Sequence, residues 1–106
     1  MIAQLEIFPL GTRSDSVSRE VAAVVRIIRA SRLPYRVGAM GTVIEGDWDR
    51  VLALIKRCHQ TMRRRAARVM TIITIDDRRE PRRRHQAPRM ERKLRSLERR
   101  LGARLD

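Results

Sequence analysis

"YRVGAMGTVIEGDWDR", residues 35–50, decides the fold. Two short β-prone runs, "YRVGA" and "TVIEG", flank Met40-Gly41, and Gly41 is suited to supply the positive φ of a tight hairpin turn. Asp47 then stands where a helix wants an N-cap, because a short carboxylate accepts an otherwise unpaired backbone N–H. Two adjacent antiparallel strands running straight into a helix are the middle of a larger pattern, and the flanking sequence supplies the rest.

Downstream, Trp48, Val51, Leu52, Ile55, His59 and Met62 fall at offsets 0, 3, 4, 7, 11 and 14, an amphipathic helical stripe. Arg63 to Arg65 sit where a helix C-terminus favours cations. "RVMTIITID" (68–76) follows as the strongest strand of the chain. Upstream, "IAQLEIFP" (2–9) alternates, with Ala3, Leu5 and Ile7 on a dry face and Ile2, Gln4, Glu6 and Phe8 on a mixed one. After the loop "LGTRSDS", with Asp15 or Ser16 as cap, Val17, Val21, Val24, Val25 and Ile28 form a second helical stripe, and Pro34 closes its surroundings. The order is βαββαβ. With right-handed crossovers it predicts an α+β, ferredoxin-like sandwich: a four-stranded antiparallel sheet with both helices on one face.

Residues 1–78 make the ligand-binding core in this reading. Residues 79–106 add a charged linker and an extra C-terminal amphipathic helix of the same single domain, with Met90, Leu94, Leu97, Leu101 and Leu105 as its narrow apolar stripe. Such a stripe must dock, either on its own sheet or on a neighbouring subunit. The open sheet face mixes apolar and polar residues, which suits pairing with a second subunit. Which of Met40, Thr42 and Ile44 or Gly41, Val43 and Glu45 looks outward is left open by the pattern.

The 106 residues carry a formal net charge of +13, with 25 basic side chains of which only Lys56 and Lys93 are lysine. Residues 1–77 contribute +5 and residues 78–106 contribute +8. Such a field attracts phosphates, nucleic acid and anionic surfaces. The arginine excess nevertheless runs the whole length of the chain, as a compositional bias would. One cysteine excludes an internal disulfide, and no signal segment or membrane-length apolar run is present, so a cytoplasmic protein with no membrane partner is expected.

Chemistry-bearing constellations are scarce. Cys58 and His59 project about 100° apart on a helix and form no dyad, and His85 sits among arginines. No metal-ligand spacing, phosphate loop or Ser-His-Asp logic can be assembled, so no cofactor, metal or catalytic residue is expected. Asp76-Asp77 beside Arg78-Arg79 reads as a salt-bridged strand end. Glu45, a strand residue two before the cap, has no local task in the sequence. RNA-recognition domains share the βαββαβ order but stack bases on sheet aromatics, and this chain has three aromatics in all.

"PLGTRSDSVSREVA", "MGTVIEGDWDRVLALIKRCH" and "RVMTIITIDDRR" together resemble the small thiamine-binding-protein family of bacteria, archaea and yeast, over nearly the whole chain. The resemblance implies a homotetramer, a dimer of dimers, that binds thiamine or its pyrimidine part between subunits without catalysis. Departures are the arginine load, Cys58, and "RRAARV" without a glycine before the last strand. An aminopyrimidine wants paired donors and acceptors, and the thiazolium wants an apolar slot with a carboxylate. On that basis the expected ligand-binding residues are Thr42 with Met40 and Gly41, then Thr12 and Ser18, with Phe8 as an apolar wall and Glu45 as countercharge. The alternatives are a nucleic-acid-binding module using the arginine-rich tail and a ligand-free structural or regulatory subunit.

Overall fold

A computed structural model describes residues 1–11, 17–79 and 87–105. The order is β1 (Ile2–Leu10), α1 (Ser18–Ala30), β2 (Tyr35–Gly38), β3 (Gly41–Glu45), α2 (Trp48–Arg63), β4 (Arg68–Asp76) and α3 (Arg89–Leu101). The strands form one sheet in the order β2-β3-β1-β4, every neighbouring pair antiparallel. This is the expected α+β ferredoxin-like arrangement with an added C-terminal helix.

Strand alternation sorts the two sheet faces. Ala3, Leu5 and Ile44 point to α1 and α2 and join Val24, Ile28, Val51, Leu54, Ile55, Cys58 and Met62 in the core. The register pairs Leu5 with Thr42 and Ile2 with Glu45. Thr42 and Ile44 therefore face the helices, while Gly41, Val43 and Glu45 face the open side. The choice left open by the β3 pattern is settled by its partner strand.

Two local expectations are corrected, and a third falls outside the described residues. Among the described glycines, positive φ occurs at Gly11 and Gly102, not at Gly41. Gly41 is needed for space instead: a Cβ there would lie 3.0 Å from the Leu5 carbonyl oxygen and 3.1 Å from the Glu6 Cγ. The buried stripe of α2 is Val51, Leu54, Ile55, Cys58 and Met62, rotated from the expected one. Trp48 is 46% exposed and turns its indole N–H to Asp77 (3.0 Å), and Leu52 is also exposed. Both stripes are equally periodic, and docking on β1 and α1 picks between them. Asp47 does cap α2, accepting the Arg50 N–H at 3.0 Å. Finally, α1 has no side-chain cap at Val17. The expected cap residues Asp15 and Ser16 lie outside the described residues.

The third helix docks by its first turn. Glu45 accepts the backbone N–H groups of Arg89 (2.6 Å) and Met90 (2.8 Å), so one carboxylate serves the two leading donors of α3. Arg89 in turn donates to the Asp76 carbonyl oxygen (2.7 Å) and pairs with its carboxylate (3.2 Å). Met90 is buried, but Leu97, Leu101 and Leu105 remain exposed. The apolar stripe of α3 thus continues past the surface that holds it. Phe8, Met70 and Ile72, neighbours on the open face, are exposed too.

Candidate functional site

The pairing of β1 creates a gap in the sheet. Against β3 it is paired only over residues 2–5, whereas against β4 it continues unbroken to Leu10. Beyond Leu5 the β2-β3 hairpin leaves β1, and α1 closes the space from the helix side. A cavity of about 190 Å³ results, lined among others by Leu5, Ile7, Val17, Val24, Thr42 and Met62. Its mouth carries Phe8, Val21, Val37 and Met40, all exposed, Met40 at 82%.

Backbone polarity is available there as well. The Leu5 carbonyl lies on the β3 side, next to Gly41. Since β1 keeps a regular register with β4 from residue 2 to 10, alternation directs the N–H and C=O of Ile7 the same way. Past the last β1-β3 pair that direction is the gap. A donor and an acceptor side by side, with the Thr42 hydroxyl, give an apolar slot its orienting groups.

The electrostatics of the wall are distinctive in so basic a chain. Among its described lining residues there is no arginine, lysine or histidine, and Glu6 is the one carboxylate. Gln4 Nε2 donates to Glu6 Oε1 at 3.2 Å, holding the side chain from the open face.

Of the seven expected site residues, Phe8, Met40, Gly41 and Thr42 come together at this cavity. Ser18 is exposed at the start of α1, one residue past Val17, which lines the wall. Thr12 lies outside the described residues. Glu45 is elsewhere: on β3 it is three residues from Thr42 and so on the opposite sheet face, with both oxygens engaged by α3. Its task is not local, since its partners lie 44 and 45 residues away, and the expected countercharge role gives way to holding α3. Sequence reasoning missed Glu6 and Ile7, although the alternation of "QLEIF" already placed a carboxylate beside Phe8.

The remaining candidates are accounted for by structure. Cys58 is fully buried, and burial pushes its thiol up to about 11, the opposite of an activated nucleophile. His59 Nδ1 meets the Thr71 hydroxyl on β4, so its ring is tied to the sheet. Asp76 pairs with Arg89, and Asp77 accepts the Trp48 indole N–H. Among the described residues no three His, Cys, Asp or Glu side chains gather as a metal site, and no helix is long and apolar enough to cross a membrane.

The family model described as "Thiamine-binding protein" matches residues 3–98. The chain belongs to that family. It is 33% identical over 97 residues to UPF0045 protein MJ1052 of Methanocaldococcus jannaschii, covering 92% of this chain and 91% of the relative. A UPF0045 protein of Methanothermobacter thermautotrophicus is 38% identical over 80 residues, covering 74% and 81%. The crystal structure of the Methanocaldococcus protein superimposes with a TM-score of 0.77, covering 91% of this chain and 93% of that one. A domain of unknown function from Bacillus cereus gives 0.65 at 28% identity, with 73% and 74% covered.

Proposed function

We propose that this chain is a non-enzymatic, cytoplasmic binding protein for thiamine or a related aminopyrimidine, held where two copies of the chain meet. The observation that carries this reading is that no described residue of the cavity wall is basic. In a chain of net charge +13, a slot whose described lining has no basic side chain and one carboxylate favours a neutral or cationic guest over the anions the rest of the surface attracts. Family membership supports thiamine as that guest.

The two halves of such a ligand make different demands. The aminopyrimidine ring needs a donor-acceptor pair, which the Ile7 backbone and Thr42 offer. The thiazolium needs a nearby negative charge that acts before salt screens it, within about 8–10 Å. Glu6 takes the role first assigned to Glu45. At about 190 Å³ the slot is smaller than the roughly 300–1,000 Å³ of ordinary ligand sites, so the second ring extends onto the rim. The exposed Phe8, Val37 and Met40 there are surfaces for a neighbouring subunit to cover, and the uncovered leucines of α3 favour further association. A homotetramer built as a dimer of dimers meets both needs.

Isothermal titration with thiamine and, separately, with its pyrimidine fragment tests the ligand. Heat from both, tighter for the whole vitamin, is expected. No heat and no shift in melting temperature at millimolar ligand would refute it. Light scattering at micromolar protein tests the assembly, and a monomer there would remove the shared-site reading.

A further inference from the structure

We propose that the cleft between the end of β4 and α3 is an anion site that takes an oligophosphate group. It is separate from the apolar cavity and does not rest on the thiamine reading. The cleft has a volume of about 580 Å³ and is walled by Asp76, Asp77 and Arg78 on one side and by Arg89, Arg92, Lys93, Ser96, Leu97 and Arg100 on the other.

Its carboxylates are already committed. Asp76 is engaged by Arg89, and Asp77 accepts the Trp48 indole N–H. The acidic residues of α3 also serve elsewhere: Glu91 pairs with Arg95 at 2.6 Å and Glu98 accepts the Leu105 N–H at 3.3 Å. Lys93 and Arg100 are exposed and have no ion pair or hydrogen bond to a described residue. Among the described residues, then, the cleft holds two cationic groups, Lys93 and Arg100, that no carboxylate pairs, and an anion can serve as their counter-ion.

The spacing selects the kind of anion. Lys93, Ser96 and Arg100 lie at offsets 0, 3 and 7 and share one helix face, which sets Lys93 and Arg100 about 10 Å apart along the axis. A single phosphate engages both only if the two side chains bend toward each other, whereas a chain of phosphates spans them extended, with Ser96 donating midway. A guanidinium fork and an ammonium are the donors that phosphate oxygens prefer. Among the described residues no aromatic side chain lines the cleft for a base to stack on, and this favours an oligophosphate over single-stranded nucleic acid.

Trp48 is the sole tryptophan and touches Asp77 in the cleft wall, so its fluorescence reports occupancy. Sodium tripolyphosphate is titrated into the full chain at physiological salt, by fluorescence and calorimetry. Lys93→Gln/Arg100→Gln is compared with Arg19→Gln/Arg26→Gln, a pair on exposed positions of α1 that removes the same charge. Melting curves confirm that both variants fold. The expected result is saturable binding that the cleft pair weakens about tenfold or more and the α1 pair less than about twofold. Equal weakening by the two pairs, or no saturation at millimolar ligand, overturns the proposal. Tighter binding of a single-stranded oligodeoxynucleotide also overturns it, in favour of a nucleic-acid track. An adenosine triphosphate arm identifies the source: affinity equal to tripolyphosphate marks an inorganic chain, and higher affinity marks a nucleotide.

Discussion

Replacing Glu45 by alanine should release α3 from the sheet while leaving the core folded. The Glu45 carboxylate accepts the Arg89 and Met90 backbone N–H groups at 2.6 and 2.8 Å, and the N-cap position of α3, Pro88, makes no side-chain cap bond. Losing an N-cap costs about 0.5–2 kcal/mol, and hydrogen bonds to a charged group about 1.5–3 kcal/mol. Two short bonds on a half-buried carboxylate place the loss near 2 kcal/mol. Because Met90 is the one buried residue of α3, that loss falls almost entirely on helix docking. Native-state hydrogen exchange reads it directly. Amides of α3 beyond the first turn should exchange about 30-fold faster, at about 1.4 kcal/mol per tenfold, while those of β1 and β4 keep their rates. Glu45→Gln, with one acceptor oxygen, should fall between. Unchanged exchange in α3 would refute the cap. Thiamine affinity unaltered by the same substitution would separate this structural role from the countercharge role first expected of Glu45.

Three further outcomes follow from the same geometry. Thr42→Val keeps the volume of a side chain that is nearly buried at the cavity but removes its hydroxyl, so affinity for the pyrimidine fragment should fall about tenfold in calorimetry with little change in melting temperature. Arg32 holds φ 63 just past α1, where a side chain costs about 1–2 kcal/mol and glycine nothing; Arg32→Gly should raise the melting temperature by several degrees, and a fall would show that the arginine side chain contributes more than the strain. Burial raises the Cys58 thiol to about 11, above its value of about 8.5 in an unfolded chain. The unfolded state then loses its proton first, so stability from this group is constant at neutral pH and declines as pH rises from about 8.5 toward 11. Urea melts across that range should show a steeper decline than in Cys58→Ala, and parallel slopes would contradict it.

Much of the architecture was legible because it rests on short-range signals. The alternation of "IAQLEIF", the hairpin around Met40-Gly41 and the Asp47 cap are each set by residues within a few positions of one another. The phase of α2 was not legible. Leu52 and Leu54 serve equally well in a periodic stripe, and only contact with β1 and α1 buries one and exposes the other. The space-saving role of Gly41 was hidden for a similar reason, since the oxygen it must clear belongs to Leu5 on another strand.

By itself the sequence determined the βαββαβ order and the family, and it offered Phe8, Thr12, Ser18, Met40, Gly41, Thr42 and Glu45 as candidates without saying which of them meet. Tertiary structure decided which carboxylate lies at the cavity. Glu45 and Thr42 are three residues apart on a strand and so face opposite ways, and the first turn of α3 claims Glu45. Glu6 reaches the cavity because β1 outruns its pairing with β3. Both outcomes depend on which segments meet across the sheet, and a local pattern carries no record of its distant partners.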